Sequence, residues 1–189
     1  MWQMGGQLDR HRVARLRSRH RLFTAGIAAI TAARADRWLR DLARGLGIVL
    51  MFHHVRPRRD LAFAPNELLE ITPEFLITVL AELTQEGFDI ISIAEVPDRL
   101  RSDRRSRPFA VLTFDDGYRD NVHYAWPIFK ERGIPWTIFV TTEFADGQGR
   151  LWWLELERAI ARLDRLVISG NGEVLNLPSR TLDEKRAAF

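Results

Sequence analysis

The strongest constraint on this chain is a rhythm that begins near residue 47. Four short apolar runs, Ile48 to Phe52, Phe88 to Ile93, Phe109 to Phe114 and Pro135 to Val140, alternate with amphipathic stretches. Runs of this length bounded by turn residues read as strands, and the first is continuous enough to be expected buried on both faces. The stretches between them read as helices. Thr72-Pro73-Glu74 offers an N-cap, a proline at the first helical position and an acid in the first turn. Phe75, Leu76, Val79, Leu80 and Leu83 then form one apolar face, and Gly87 is placed to stop the helix. A short helix is expected from Ala94 to Leu100, and a longer one from Tyr118 to Arg132, bent at Pro127 and stopped at Gly133. Arg56 to Glu70 reads as a loop. Strand and helix alternating in this way predict an α/β fold of parallel βα units. Right-handed crossovers bring the strands' C-terminal ends to one rim. His53-His54, Asp115-Asp116 and Thr141-Thr142 all fall at such ends.

The rhythm is lost after Glu143. Ala145 to Gly149 reads as a turn and Leu151 to Leu166 as an amphipathic helix that opens with Trp152-Trp153. A hairpin around Gly170-Asn171-Gly172 is expected over Leu166 to Leu177, and another helix from Thr181. Packing is the favoured reading of Trp152 and Trp153, with sugar stacking as the alternative. A complete regular barrel takes about 250 residues, and this chain has 189. Three regions are therefore expected: a basic helical arm over 1–47, a partial barrel over 48–142, and an insertion over 143–189 that reads as truncated. A partial barrel would leave sheet edges exposed, which invites association.

The net charge of +3 conceals an asymmetry, because residues 1–47 hold ten Arg against three Asp while the remainder is mildly acidic. Basic arms bind nucleic acid or anionic lipid in some proteins. No helix-turn-helix or zinc-finger pattern accompanies this one, so no nucleic-acid partner is expected. Phe23, Ile27, Ile30, Trp38 and Leu42 recur at near-helical spacing. They predict an amphipathic helix that lies on the domain or contacts a membrane periphery, in preference to a cleaved leader. No run of about 18 apolar residues suggests a membrane span. A cytoplasmic or peripheral-membrane location is favoured, with periplasmic or secreted as the alternative. The chain has no Cys, which excludes disulfides and thiolate ligands; any metal must sit on Asp, Glu or His.

Asp115 and Asp116 are the sharpest chemical feature. Two adjacent carboxylates repel, so placing both at a strand end is costly unless a cation is shared nearby. Gly117 lets the chain turn, which would bring both to one rim; one can then bind a metal while the other takes a proton. The plain alternative is an Asp-Gly turn whose acids cap the next helix.

The surrounding residues favour the first reading through a resemblance. Thr113-Phe114-Asp115-Asp116-Gly117-Tyr118-Arg119-Asp120-Asn121 resembles the first signature motif of the polysaccharide deacetylases, the family that includes the nodulation chitooligosaccharide deacetylases. Phe52-His53-His54-Val55 and Gly133 to Val140 resemble the strands that flank that motif. The resemblance covers about residues 47 to 142. It implies an irregular (β/α) barrel, of which this chain would be the N-terminal portion, and a metal-dependent hydrolase that removes acetyl groups from an N-acetylated glycan. Asp115 would be the catalytic base and Asp116 a ligand of a divalent ion, most plausibly zinc, completed by two His. His53, His54, Tyr118 and Arg119 would line the site. The family's His-x-x-x-His spacing is absent: the histidines are His11, His20, His53, His54 and His123. A catalytically inactive, carbohydrate-binding homologue is the second reading.

Overall fold

The computed structural model describes residues 24–26, 28–30, 32–33, 45–101, 107–170 and 173–189. The chain divides into two units, Met1–Gly45 and Leu46–Phe189. In the first, residues 24–26, 28–30 and 32 are helical and exposed. The rest of the expected basic helix lies outside the described residues. No helix among the described residues is long and apolar enough to cross a membrane.

The second unit is built on four parallel strands: β1 (Gly47–Phe52), β4 (Asp89–Ile90), β5 (Phe109–Asp115) and β6 (Thr137–Phe139). β5 is central. β1 runs along one of its edges from Gly47 opposite Phe109 to Phe52 opposite Phe114. The other edge is shared, with β4 beside Phe109–Ala110 and β6 beside Thr113–Asp115. Among the described residues this sheet is open, not closed into a barrel. A second pair, β2 (His54–Val55) and β3 (Glu70–Ile71), is also parallel and ties down the ends of what reads as a loop in the sequence.

β4 and β6 are shorter than the apolar runs that predict them. Ile91 still donates to Ala110 O, but Ser92 then starts a capping box with Glu95 and the chain turns into a short 3₁₀ segment ahead of α2 (Val96–Arg101). At the other strand, Thr141 becomes the N-cap of a one-turn helix, α4 (Thr142–Ala145), where a turn was expected to begin slightly later.

α1 (Pro73–Gln85) starts as its sequence predicts, with Thr72 Oγ1 accepting from Phe75 N at 3.1 Å. It ends in a left-handed Gly87, where Gly87 N bonds Thr84 O and Phe88 N bonds Leu83 O. Its buried Leu76, Leu80 and Leu83 lie one above another at helical spacing. They meet Ala110, Leu112 and Phe114, the alternate residues on one face of β5, in a single core that includes Val55, Ala125 and Phe129.

The helical run after the Asp motif continues to Arg132 but is not uniform. Residues Asn121–Ala125 form a π turn, closed by Trp126 N donating to Asn121 O, and α3 (Trp126–Arg132) follows. Pro127 has no N–H and crowds the carbonyl four residues back, so a local widening takes the place of the expected bend. Beyond Gly149 lie α5 (Trp152–Arg162), an antiparallel hairpin of β7 (Arg165–Gly170) and β8 (Glu173–Pro178), and α6 (Leu182–Ala188). Lys185 Nζ donates to the carbonyls of Ile160 and Ala161, fastening α6 to the end of α5.

One expectation fails clearly. β1 is not buried on both faces: Val49 is 58% and Met51 61% exposed. A continuous apolar run signals two apolar surroundings but does not supply them. Ile48, Leu50 and Phe52 pack on the helical layer. The other face of β1 is open at Val49 and Met51, although Val111 beside them on β5 is buried with Phe109 and Ile91.

Candidate functional site

That uncovered face forms the floor of the site. Side chains alternate along parallel strands, and those in register share a face. Val49 and Met51 of β1, Thr113 and Asp115 of β5 and Phe139 of β6 therefore line one cleft of about 580 Å³, closed at the rim by Asp116 and Thr141. Asp115 is the last residue of the central strand, so it stands at the C-terminal edge where α/β folds build their sites.

Asp116 owes its place to unusual backbone. Its φ is 68°, the one positive value among described non-glycine residues, and Gly117 follows at 70°. Two consecutive left-handed residues fold the chain back, so Asp115 and Asp116 both reach the cleft. For a residue with a side chain this conformation costs about 1–2 kcal/mol, less for Asp, and it persists only where the surroundings enforce it. Gly117 could not carry a side chain freely, since a Cβ there would lie 3.2 Å from Val140 Cγ1.

The four residues expected to line the site are placed differently. His54 is buried below the rim, with Nδ1 2.7 Å from Asp120 Oδ2 and its ring stacked on Tyr118 at 3.6 Å between centroids. His53 contributes its carbonyl, which accepts from buried Asn121 at 3.0 Å. Arg119 is exposed. Tyr118 buries its hydroxyl, which has no hydrogen-bond partner among the described residues. Burial and then the Asp116 carboxylate push that hydroxyl up to about 12, so it remains protonated and able to donate. The sequence reading gave Asp120 no role. Asp120 was visible within the quoted motif, but its partner lies 66 positions away. Trp153 is partly buried against Phe144, as packing predicts, whereas Trp152 is 64% exposed.

A second hollow, of about 520 Å³, is lined by Arg56, Arg58 and Arg59 with Glu67 and Glu70. Its cations are largely engaged: Arg56 and Arg59 both donate two bonds to Glu70, and Arg58 faces Glu67 at 3.4 Å. This hollow is read as a structural clamp. Burial pushes the Glu70 carboxyl up, but the bonds from Arg56 and Arg59 outweigh it and hold the group below the usual carboxylate range. A depressed value means stability that is present above the unfolded value, about 4.3, and lost as pH falls through the folded one. Glu70→Gln should therefore cost roughly 1.5 kcal/mol or more at neutral pH. It should also flatten the loss of stability below about pH 4.3, as read by urea unfolding across pH. An unchanged acid limb would show that Glu70 is not the group responsible.

Among the described residues no three of His, Cys, Asp and Glu converge on one point. The two carboxylates of Asp115 and Asp116 are too few donors for the tetrahedral nitrogen-and-oxygen set that zinc takes. Among the described residues the donor set does not complete a zinc site.

Comparison with known proteins finds partial likenesses. The sequence pattern of the family described as Polysaccharide deacetylase matches residues 102–168, which span β5, the Asp motif, β6 and α5. Over those residues the chain is similar to the polysaccharide deacetylases. The Bacillus subtilis (strain 168) protein named "Putative polysaccharide deacetylase YxkH" is 29% identical over 93 residues, 49% of this chain and 30% of that one. Two solved structures are similar in part. The Streptococcus pyogenes deacetylase PplD, in complex with acetate, is 25% identical with a TM-score of 0.44 and covers 53% of this chain and 45% of its own. A de-N-acetylase from Aggregatibacter actinomycetemcomitans is 20% identical with a TM-score of 0.42, covering 74% and 48%. The chain thus spans less than half the length of each of these relatives.

Proposed function

We propose that the protein hydrolyses acyl amides on a polysaccharide, N-acetylated amino sugars being the substrate class, with Asp115 as the general base. The observation that carries this is the pair Asp115 and Asp116 at the C-terminal end of the central strand, both opening on one cleft. Asp115 takes a proton from a water molecule as the water oxygen bonds to the amide carbonyl carbon. The tetrahedral adduct then collapses, the C–N bond breaks and the nitrogen leaves as a free amine after gaining a proton. The products are acetate and a deacetylated sugar. Zinc, which the family resemblance implies, would need donors beyond the described residues, so no step here is routed through it.

The test is acetate release, paired with the appearance of primary amines, when the native protein expressed from its own gene meets an N-acetylated glucosamine polymer. Stoichiometric acetate and amine are expected. Acetate without amine would point to ester cleavage instead, and the absence of both with zinc supplied would sink the reading.

A further inference from the structure

The left-handed turn at Asp116 and Gly117 is held at both ends against one short segment. On the incoming side, Phe114 lies in register with Phe52, the last residue of β1. On the outgoing side, Asp120 and Asn121 return to His53, His54 and Val55, the three residues that follow Phe52. The Asp motif is therefore a loop closed on the junction of β1 and β2, and side chains make its return leg.

The Asp120 carboxylate meets three donors. His54 Nδ1 lies 2.7 Å from Oδ2, Val55 N donates to Oδ1 at 3.4 Å, and Arg56 Nη1 stands 3.9 Å from Oδ2. A carboxylate only accepts, so the His54 Nδ1 carries the proton. Arg56 is itself bonded through Nε and Nη2 to Glu70 of β3, which is in register with His54. Asn121 supplies a second tie, its Nδ2 donating to His53 O at 3.0 Å. The residue is wholly buried, and its Oδ1 has no partner among the described residues. Packing alone does not account for it, because an unpartnered buried amide oxygen costs stability that an apolar side chain of similar size would not.

Backbone strain supplies the reason. A non-glycine residue stays in the left-handed region only where its surroundings enforce it, and Asp116 is such a residue. Pairing with β1 and β6 fixes the chain as far as Asp115. The two side-chain ties resume that hold beyond Arg119.

We propose that Asp120 and Asn121 are positioning residues: their ties to the β1–β2 junction hold the turn in its left-handed form and so keep both Asp115 and Asp116 on the cleft. The proposal rests on the deacylase reading of those two carboxylates, and the test separates the two. Asp120→Asn and Asn121→Asp are nearly isosteric, and each sets like against like. The first puts an amide NH2 against one of two N–H donors; the second puts an oxygen against the His53 carbonyl. The backbone amide hydrogen at position 121 bonds Tyr118 O at 3.1 Å and reports the closed loop. In the 189-residue chain its exchange, followed by NMR well below the melting temperature, should quicken about tenfold or more in each variant. In the native protein, kcat for acetate release should fall about 10- to 100-fold in each while KM stays level, as misplacement of a reacting group does. Unchanged exchange in a variant overturns the tie that it breaks. Quickened exchange with kcat intact overturns the positioning role, because the ties would then be structural only. Should one variant fail to fold, the other decides by the same two readings. A native protein that releases no acetate fails the functional reading alone, and the exchange measurement still decides whether the ties hold the turn.

Discussion

Replacing Asp115 with Asn should lower acetate release by the native protein roughly a hundred- to ten-thousand-fold, the usual contribution of a positioned general base. The substitution keeps the size and shape of the side chain and removes its capacity to take a proton. Asp115 is partly exposed at the end of β5, so the fold should barely notice the change. Unfolding by urea should shift by no more than about 0.5 kcal/mol. The combination is what discriminates: a large loss of rate with stability intact assigns chemistry to the carboxylate. A variant that keeps more than about a tenth of the rate would show that another group accepts the proton, since a lost base costs at least about 10². A variant that loses both rate and stability would show Asp115 to be structural, contrary to its place on the open face.

The elements nearest that residue are also those most legible in the sequence, and the reason is local. β5 is expected from Phe109 to Phe114 and is found from Phe109 to Asp115, because a central parallel strand needs apolar residues on both faces and advertises them continuously. The caps of α1 are legible for the same reason: Thr72 and Gly87 act within a few residues of themselves. Partnerships between distant segments leave no such trace. His54 reads as a rim residue until its bond to Asp120 places it below the rim. Trp152 and Trp153 are indistinguishable by spacing, yet one is exposed and the other is partly buried against Phe144. The exposed face of β1 is the complementary lesson. Val49 and Met51 carry the composition of a buried strand, but burial is a property of what lies opposite, which composition does not contain.

The second large effect concerns the opposite face of the same strand. Phe114→Ala should destabilise the second unit by about 3–5 kcal/mol, the range for deleting a fully buried aromatic. Phe114 is wholly buried and packs against three rings, 5.2 Å from Phe52, 5.7 Å from Phe129 and 5.2 Å from Trp136 between centroids. These partners come from β1, α3 and the approach to β6, so one side chain joins three of the elements that frame the cleft. The cavity left behind is hard to close, because α1 holds Leu76, Leu80 and Leu83 against the same core. Domains of this size are stable by about 5–15 kcal/mol, which makes such a loss a large share of the total. The midpoint of urea unfolding should fall while the slope of the transition is unchanged. A cost below about 1.5 kcal/mol would mean that the cluster collapses into the gap and does not hold the strands in place. The contrast with Asp115→Asn follows from pleat geometry alone: adjacent residues of β5 point to opposite faces. Phe114 lies on the core face and secures the strand, while Asp115, at the strand's end, faces the cleft and is free to do chemistry.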